Sequence, residues 1–411
     1  MHSAVFRSLK VLTATLAAAL IPLGAPVTAV SAAQAADCAN RVAPPPAVDT
    51  SEKPKPGQAV PPPLPVPATP VGGPRMGDCG VISPQGMPNP PDGNTAASWV
   101  LQDLDSGAVL AAKDPHARER PASLIKTLLA LVVVNTLQPE QVIVATPEDA
   151  QQECTCVGIA AGGHYTVDQL LHGLLMHSGN DVAHAFATTL GGVDATVAKM
   201  NETARRIGAT DTRAATPSGL DGPGMSTSAY DLSVIFHYAM KQPEFAKAVA
   251  TKNFEIPATD GKPAIPVFND NKLLGYYPGF IGGKTGFTDD ARHTYVGGAE
   301  RDGKRIAVVM VRGEQKPTRV VDQAAKLLDY GFALKAAHAE PVGKIDYQVP
   351  STPTASDDSP GVSNAASTDQ PNASAPKQDP FGTTGWIITL VVFVLIVGGF
   401  VFGFQRKKSG R

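Results

Sequence analysis

Twelve prolines stand between residues 41 and 75, among them Pro44-Pro45-Pro46 and Pro61-Pro62-Pro63-Leu64-Pro65. Proline lacks a backbone N–H and fixes φ, so neither a helix interior nor a central strand can be built from such a stretch. It favours extended polyproline II, and residues 36–94 read as a Pro-rich extended linker. Residues 350–384 are rich in Ser, Asp, Pro, Thr and Asn with few apolar groups, so 341–384 reads as a disordered stalk. Between them, residues 95–340 are long enough for one well-buried core. The 411-residue chain therefore reduces to a single domain.

The two ends point to a compartment. Residues 1–35 carry Arg7 and Lys10, an apolar run from Val11 to Ala25, and Ala33-Gln34-Ala35, the small-x-small pattern of a cleaved export signal. Trp386 to Phe404 is nineteen residues without a charge, followed by Arg406, Lys407 and Lys408. About 20 apolar residues cross ~30 Å of hydrocarbon, and the basic cluster sets the C-terminus inside. The expectation is a transmembrane helix at 385–404, a basic cytoplasmic tail at 405–411, and a domain held outside the cell membrane by one span.

Lys plus Arg number 35 against 37 Asp plus Glu, a balance without the basic stripe of a nucleic-acid binder. The four cysteines, Cys38, Cys79, Cys154 and Cys156, lie in the exported part, where disulfides persist. Sequence does not choose among their pairings, although Cys154-Thr155-Cys156 can close on itself as a small ring. His164, His172, His177, His184 and His237 lack ligand-like spacing, and no phosphate loop or dinucleotide fingerprint occurs; neither metal nor cofactor is expected.

Within the core, Ser98–Leu104 and Ala108–Ala112 flank Asp105-Ser106-Gly107 as a hairpin. An apolar helix follows over about Ala122–Leu137. Thr166 and Gln169 have capping-box spacing ahead of a helix, and Asn180 is placed to cap the next. Further helices are expected at Val193–Ile207 and Ala229–Met240. Strands return at Gly279–Phe287, Thr294–Ala299 and Arg305–Val311 before a last helix over Pro317–Phe332. The order implies an α+β fold: an antiparallel sheet flanked by helices, with an inserted helical subdomain.

Three short motifs carry chemistry. In Ser123-Leu124-Ile125-Lys126, residues i and i+3 share a helix face, so hydroxyl and amine can meet. Serine needs an adjacent base to act as a nucleophile, and burial of Lys126 would lower its pKa towards that task. Ser178-Gly179-Asn180 sets two polar side chains in a loop. Lys284-Thr285-Gly286 offers a cation on a strand, beside a glycine that permits close backbone approach.

The order and spacing of these motifs match penicillin-recognising serine enzymes. The chain resembles the low-molecular-mass penicillin-binding D-alanyl-D-alanine carboxypeptidases from about Ala97 to Phe332. The likeness includes Arg120-Pro121-Ala122-Ser123, His177-Ser178-Gly179-Asn180-Asp181, Ser218-Gly219-Leu220-Asp221, Asn271-Lys272-Leu273-Leu274 and Leu327-Leu328-Asp329-Tyr330-Gly331-Phe332. It implies an exported enzyme that faces the cell wall, trims the terminal D-alanine of peptidoglycan pentapeptide stems and binds β-lactams covalently. By that resemblance Ser123 forms the acyl-enzyme, Lys126 takes its proton, and Ser178 relays a proton to the leaving D-alanine. Asn180 holds the substrate amide, Lys284 and Thr285 bind its C-terminal end, and the oxyanion sits between the N–H groups of Ser123 and Phe287, beyond Gly286. Arg319 lies where some relatives place a carboxylate-binding arginine.

One departure stands out. The family usually shows Thr-x-x-Ala-Gly after the third motif, whereas Thr288-Asp289-Asp290-Ala291 is followed here by Arg292, which bears on substrate fit. A β-lactamase needs a deacylating glutamate, and Thr216-Pro217-Ser218-Gly219-Leu220-Asp221 contains none. An endopeptidase acting on cross-links would share the same acylation chemistry. A silent wall-binding scaffold would need no nucleophile–amine pair.

Overall fold

The computed structural model describes residues 38–259 and 261–345. Its centre is a seven-stranded antiparallel sheet in which β1 (Val81–Ile82), β3 (Ala108–Lys113), β2 (Ser98–Asp103), β10 (Lys304–Gly313), β9 (Arg292–Arg301) and β8 (Phe280–Thr288) lie side by side, with β11 (Gly343–Lys344) also on β3. The hairpin and the later strand trio expected from the sequence thus meet through β2 and β10, with Val309 opposite Val100. Side chains alternate strictly across this pair. Trp99, Leu101, Ile306, Val308 and Met310 face one way, onto Val320, Ala324, Leu327 and Leu328 of α8 (Val320–Ala336). Val100, Ala307, Val309 and Val311 face the other core, which the inserted helices supply. Both faces are covered, which is why β10 reads as a continuous apolar run rather than an alternating one.

Between β3 and β8 lies the helical subdomain: α1 (Lys126–Val134), α2 (Pro147–Ala150), α3 (Val167–Met176), α4 (Asn180–Thr189), α5 (Val193–Arg206), α6 (Ala229–Ala239) and α7 (Pro243–Ala250). Two small hairpins accompany them, β4 (Val142–Val144) with β5 (His164–Thr166), and β6 (Asn253–Ile256) with β7 (Ile265–Phe268). Thr166 caps α3 in the expected box with Gln169. Asn180 does not cap α4: Gly179 holds that position and the Asn180 side chain is used elsewhere. The hairpins and α7 are too short for periodicity to reveal.

The Pro-rich segment differs from a free spacer. From residue 38 it lies against the domain, tied at its start by a Cys38–Cys79 disulfide. Prolines offer carbonyls but no N–H, so the domain supplies the donors. Buried Arg118 donates to the carbonyls of Val42, Leu64 and Pro65, and Arg213 donates to that of Pro62 at 2.9 Å. Arg120 pairs with Glu52, and the N–H of Val48 meets Asp290. Residues 38–73 of this arm form no helix or strand, yet the matching guanidinium groups dock them, and further on the segment joins the sheet as β1.

Among the described residues no helix is long and apolar enough to cross a membrane. The export signal expected at 1–35 and the span expected at 385–404 lie outside those residues, as does nearly all of the expected stalk.

Candidate active site

A 3-10 turn, Ala122–Ile125, leads directly into α1. At about three residues per turn, side chains at i and i+3 eclipse, and Lys126 Nζ lies 3.0 Å from Ser123 Oγ. The same nitrogen donates to Asn180 Oδ1 at 2.8 Å and to the Ser218 carbonyl at 2.5 Å. Lys126 is fully buried. That burial, reinforced by the charge of Lys284 and opposed by Asp181, holds its pKa well below the ordinary lysine range.

The turn is held in place by close backbone contacts. Ala122 adopts φ 46°, a left-handed conformation unusual for a residue with a Cβ. Two glycines make room for it. A Cβ at Gly219 (φ +88°) would stand 2.0 Å from the Ala122 carbonyl oxygen, and one at Gly286 would stand 2.9 Å from the Ser123 nitrogen. Thr294 on β9 also donates to the Pro121 carbonyl at 2.9 Å. Only a glycine at 286 therefore lets β8 lie this close to Ser123.

β8 forms one edge of the sheet, with β9 as its partner. Lys284 on it is 1% exposed, and burial brings its pKa down to about 8 against the opposing charge of Asp270. Ser178, at φ 65°, is buried, and among the described residues its Oγ has no hydrogen-bond partner. A polar atom held at this cost beside a cleft is placed for a group that arrives from outside.

Ser123, Ser178, Thr285, Gly286, Phe287 and Arg319 line one open cleft of about 430 Å³, with Lys126, Asn180 and Lys284 buried in or near its wall. All nine sequence-derived site residues thus fall in one region. Arg319 sits at its rim as the N-cap residue of α8, with its guanidinium on Asp322 at 2.8 and 3.0 Å. Sequence reasoning missed the Ser218 carbonyl, for which the adjacent Gly219 was the available signal. It also missed Thr155, Asp270 and His293, which line the cleft without belonging to a motif.

Among the described residues two side-chain clusters lie close enough to hold a cation, His116/Asp211/Asp231 and Glu52/Asp221/Asp290. Each already contains an arginine: Arg118 lies 3.4 Å from Asp211, and Arg120 pairs with Glu52. Burial, with the charge of Asp211, lifts Asp231 well above the carboxylate range and favours its neutral form.

A serine and a buried amine at hydrogen-bonding distance, beside a lysine-bearing edge strand, define a serine hydrolase of the penicillin-recognising type. Residues 85–314 match the family described as D-alanyl-D-alanine carboxypeptidase. The chain belongs to that family. It is 50% identical over 258 residues to D-alanyl-D-alanine carboxypeptidase DacB2 of Mycobacterium tuberculosis, across 62% of this chain and 87% of that protein. A crystal structure of a D-alanyl-D-alanine carboxypeptidase from the same organism superposes with a TM-score of 0.61 at 48% identity, covering 64% of this chain and 99% of that one. A mutant of a Streptomyces DD-transpeptidase superposes with a TM-score of 0.56 at 27% identity, covering 59% and 100%.

Proposed function

We propose that the protein is an exported, membrane-anchored serine carboxypeptidase that removes the terminal D-alanine of peptidoglycan pentapeptide stems through an acyl-enzyme on Ser123. The contact between Lys126 and Ser123 carries the reading. Two carbonyls accept from Lys126, and a neutral amine has two N–H bonds and one lone pair. With both N–H bonds committed, the lone pair is left to accept the Ser123 proton.

Ser123 Oγ then attacks the carbonyl carbon of the penultimate D-alanine. The developing oxyanion is held by the N–H groups of Ser123 and Phe287, where fixed donors contribute most. As the intermediate collapses, the C–N bond breaks and Ser178 passes a proton from Lys126 to the departing amine. Water then repeats the sequence on the ester and frees Ser123. Asn180 holds the stem amide, while Lys284, Thr285 and Arg319 bind the terminal carboxylate. A β-lactam enters the same way and acylates Ser123; the segment 216–221 has no glutamate to drive fast deacylation, so that ester is long-lived.

Export and anchoring rest on the leader at 1–35 and the uncharged segment at 385–404, which set the domain on the outer face of the cell membrane towards the wall. The test is mass spectrometry of the protein after incubation with a pentapeptide stem and, separately, with penicillin. Loss of one D-alanine and a stable penicilloyl adduct on Ser123 are expected, and both vanish in Ser123→Ala. D-alanine release that persists in the variant would remove Ser123 from the mechanism.

A further inference from the structure

Residues 152–159, a loop outside all three motifs, reach the cleft through Thr155. The cysteines on either side of it are joined, Cys154 to Cys156. No regular structure supports residues 154–160. Their backbone is instead committed to the start of α4. The carbonyl of Glu153 accepts from Asn180 Nδ2 at 2.7 Å, and that of Thr155 accepts from the Asn180 N–H, also at 2.7 Å. The Asp181 carboxylate accepts from the N–H groups of Val157, Gly158 and Ile159 at 3.0, 2.7 and 3.1 Å.

Asn180 is the junction. Its Nδ2 is held by the loop, and its Oδ1 accepts from Lys126 at 2.8 Å. Direct contacts therefore run from the Cys154–Cys156 ring through Glu153 and Asn180 to the amine beside Ser123. A loop without regular structure keeps two carbonyls aimed at one residue only if its backbone freedom is curtailed. A bond spanning a single residue does that, and restraint of this kind acts by removing the cost of ordering.

We propose that the Cys154–Cys156 ring is a positioning element for Asn180, and through it for Lys126, so that opening the ring slows acylation of Ser123. The inference rests on the roles of Ser123 and Lys126 proposed above. Cys154 is exposed and Cys156 half-buried, so a dissolved dithiol can reach the bond. Dithiothreitol supplies two electrons and two protons, the S–S bond breaks to two thiols, and the reagent departs as its cyclic disulfide.

The experiment measures the acylation rate with a fluorescent penicillin on the full chain, alongside the melting temperature. Oxidised protein, dithiothreitol-treated protein and a Cys154→Ser/Cys156→Ser variant are compared. Loss of one positioning hydrogen bond predicts roughly tenfold slower acylation in the latter two. Oxidised glutathione restores the treated wild type and leaves the serine variant unchanged. A Cys38→Ser/Cys79→Ser variant, which keeps the ring, responds to dithiothreitol as wild type does. In an Asn180→Ala background, dithiothreitol produces no further slowing, which a purely structural contribution would not predict. Unchanged rates in the reduced and serine proteins, a full effect in the Asn180→Ala background, or slowing that merely tracks the melting temperature each overturn the proposal. Oxidised wild type that takes no label at Ser123 overturns the functional reading as well, and is distinct from all of these.

Discussion

Ser123 Oγ and Lys126 Nζ are 3.0 Å apart on one eclipsed turn, and both carbonyl neighbours of that nitrogen come from distant segments. Arginine at this position keeps a charge but cannot give up its proton. Lys126→Arg is therefore expected to slow acylation by about a thousandfold, within the span of general-base contributions. Stopped-flow measurement with a fluorescent penicillin checks this, and a loss smaller than tenfold would remove Lys126 as the base.

The two buried lysines set opposite limbs of the pH profile. Burial and then the charge of Lys284 hold Lys126 well below its ordinary range, while burial brings Lys284 to about 8. kcat/KM for a pentapeptide should rise as Lys126 loses its proton, then fall through about pH 8 as Lys284 loses the charge that meets the substrate carboxylate. A C-terminally amidated stem lacks that carboxylate, so its profile should lose the descending limb. Identical profiles for the two peptides would detach Lys284 from carboxylate binding.

Lys284 also costs stability. Its folded pKa of about 8 lies below the ordinary 10.5, so between these values the unfolded chain binds the extra proton. Stability must then rise with pH across that window, the penalty being complete below it. Lys284→Met should stabilise the protein by about 2 kcal/mol at neutral pH while abolishing carboxypeptidase activity. Denaturant titrations at several pH values test the sign: the gain should shrink above about pH 8, and growth there would contradict it.

Arg118 fastens the Pro-rich arm through three carbonyls, those of Val42, Leu64 and Pro65, and also faces Asp211. Arg118→Ala leaves those three carbonyls without this donor and leaves buried Asp211 with His116 but without the guanidinium charge. It should cost about 3 kcal/mol or more and open residues 41–65 to proteolysis. An arm that resists protease as wild type does would show that its docking lies elsewhere.

Arg292 occupies the position where the family usually has glycine, at φ 56°. Its guanidinium pairs with Glu314 at 2.9 Å and lies 5.6 Å over the Phe287 ring at the cleft. Left-handed backbone costs a non-glycine residue about 1–2 kcal/mol, more than an exposed ion pair returns. Arg292→Gly should therefore leave stability unchanged or slightly higher, while the uncovered Phe287 shifts KM among stem peptides severalfold. Unaltered KM values would exclude Arg292 from substrate fit.

The motifs were legible because their residues have fixed spacing and few other uses. Ser123 and Lys126 are one turn apart, and a 3-10 turn aligns them as well as the expected α-helix would. The long helices and the β8–β10 trio were legible from period alone. What stayed hidden depends on distant partners. The Ser218 carbonyl is a backbone atom marked only by the glycine that follows it, and Asn180 reads as a cap until Lys126 and Glu153 claim its amide. The prolines of residues 41–75 forbade regular structure, but nothing local announced that Arg118 and Arg213 would receive them.

The free edge of β8 has a second consequence. An unpaired strand margin is a template on which another copy of a chain can add, and proteins blunt such margins with charge, brevity or a covering segment. At the opposite margin β3 is covered by the two-residue strands β1 and β11. β8 is nine residues long, and the catalytic turn packs on its face at Gly286 rather than along that margin. Among the described residues no strand pairs with that margin, so the backbone groups on which a neighbouring chain would stack stay open beside the cleft, and crowding the protein should compete an extended peptide against self-association at the same strip.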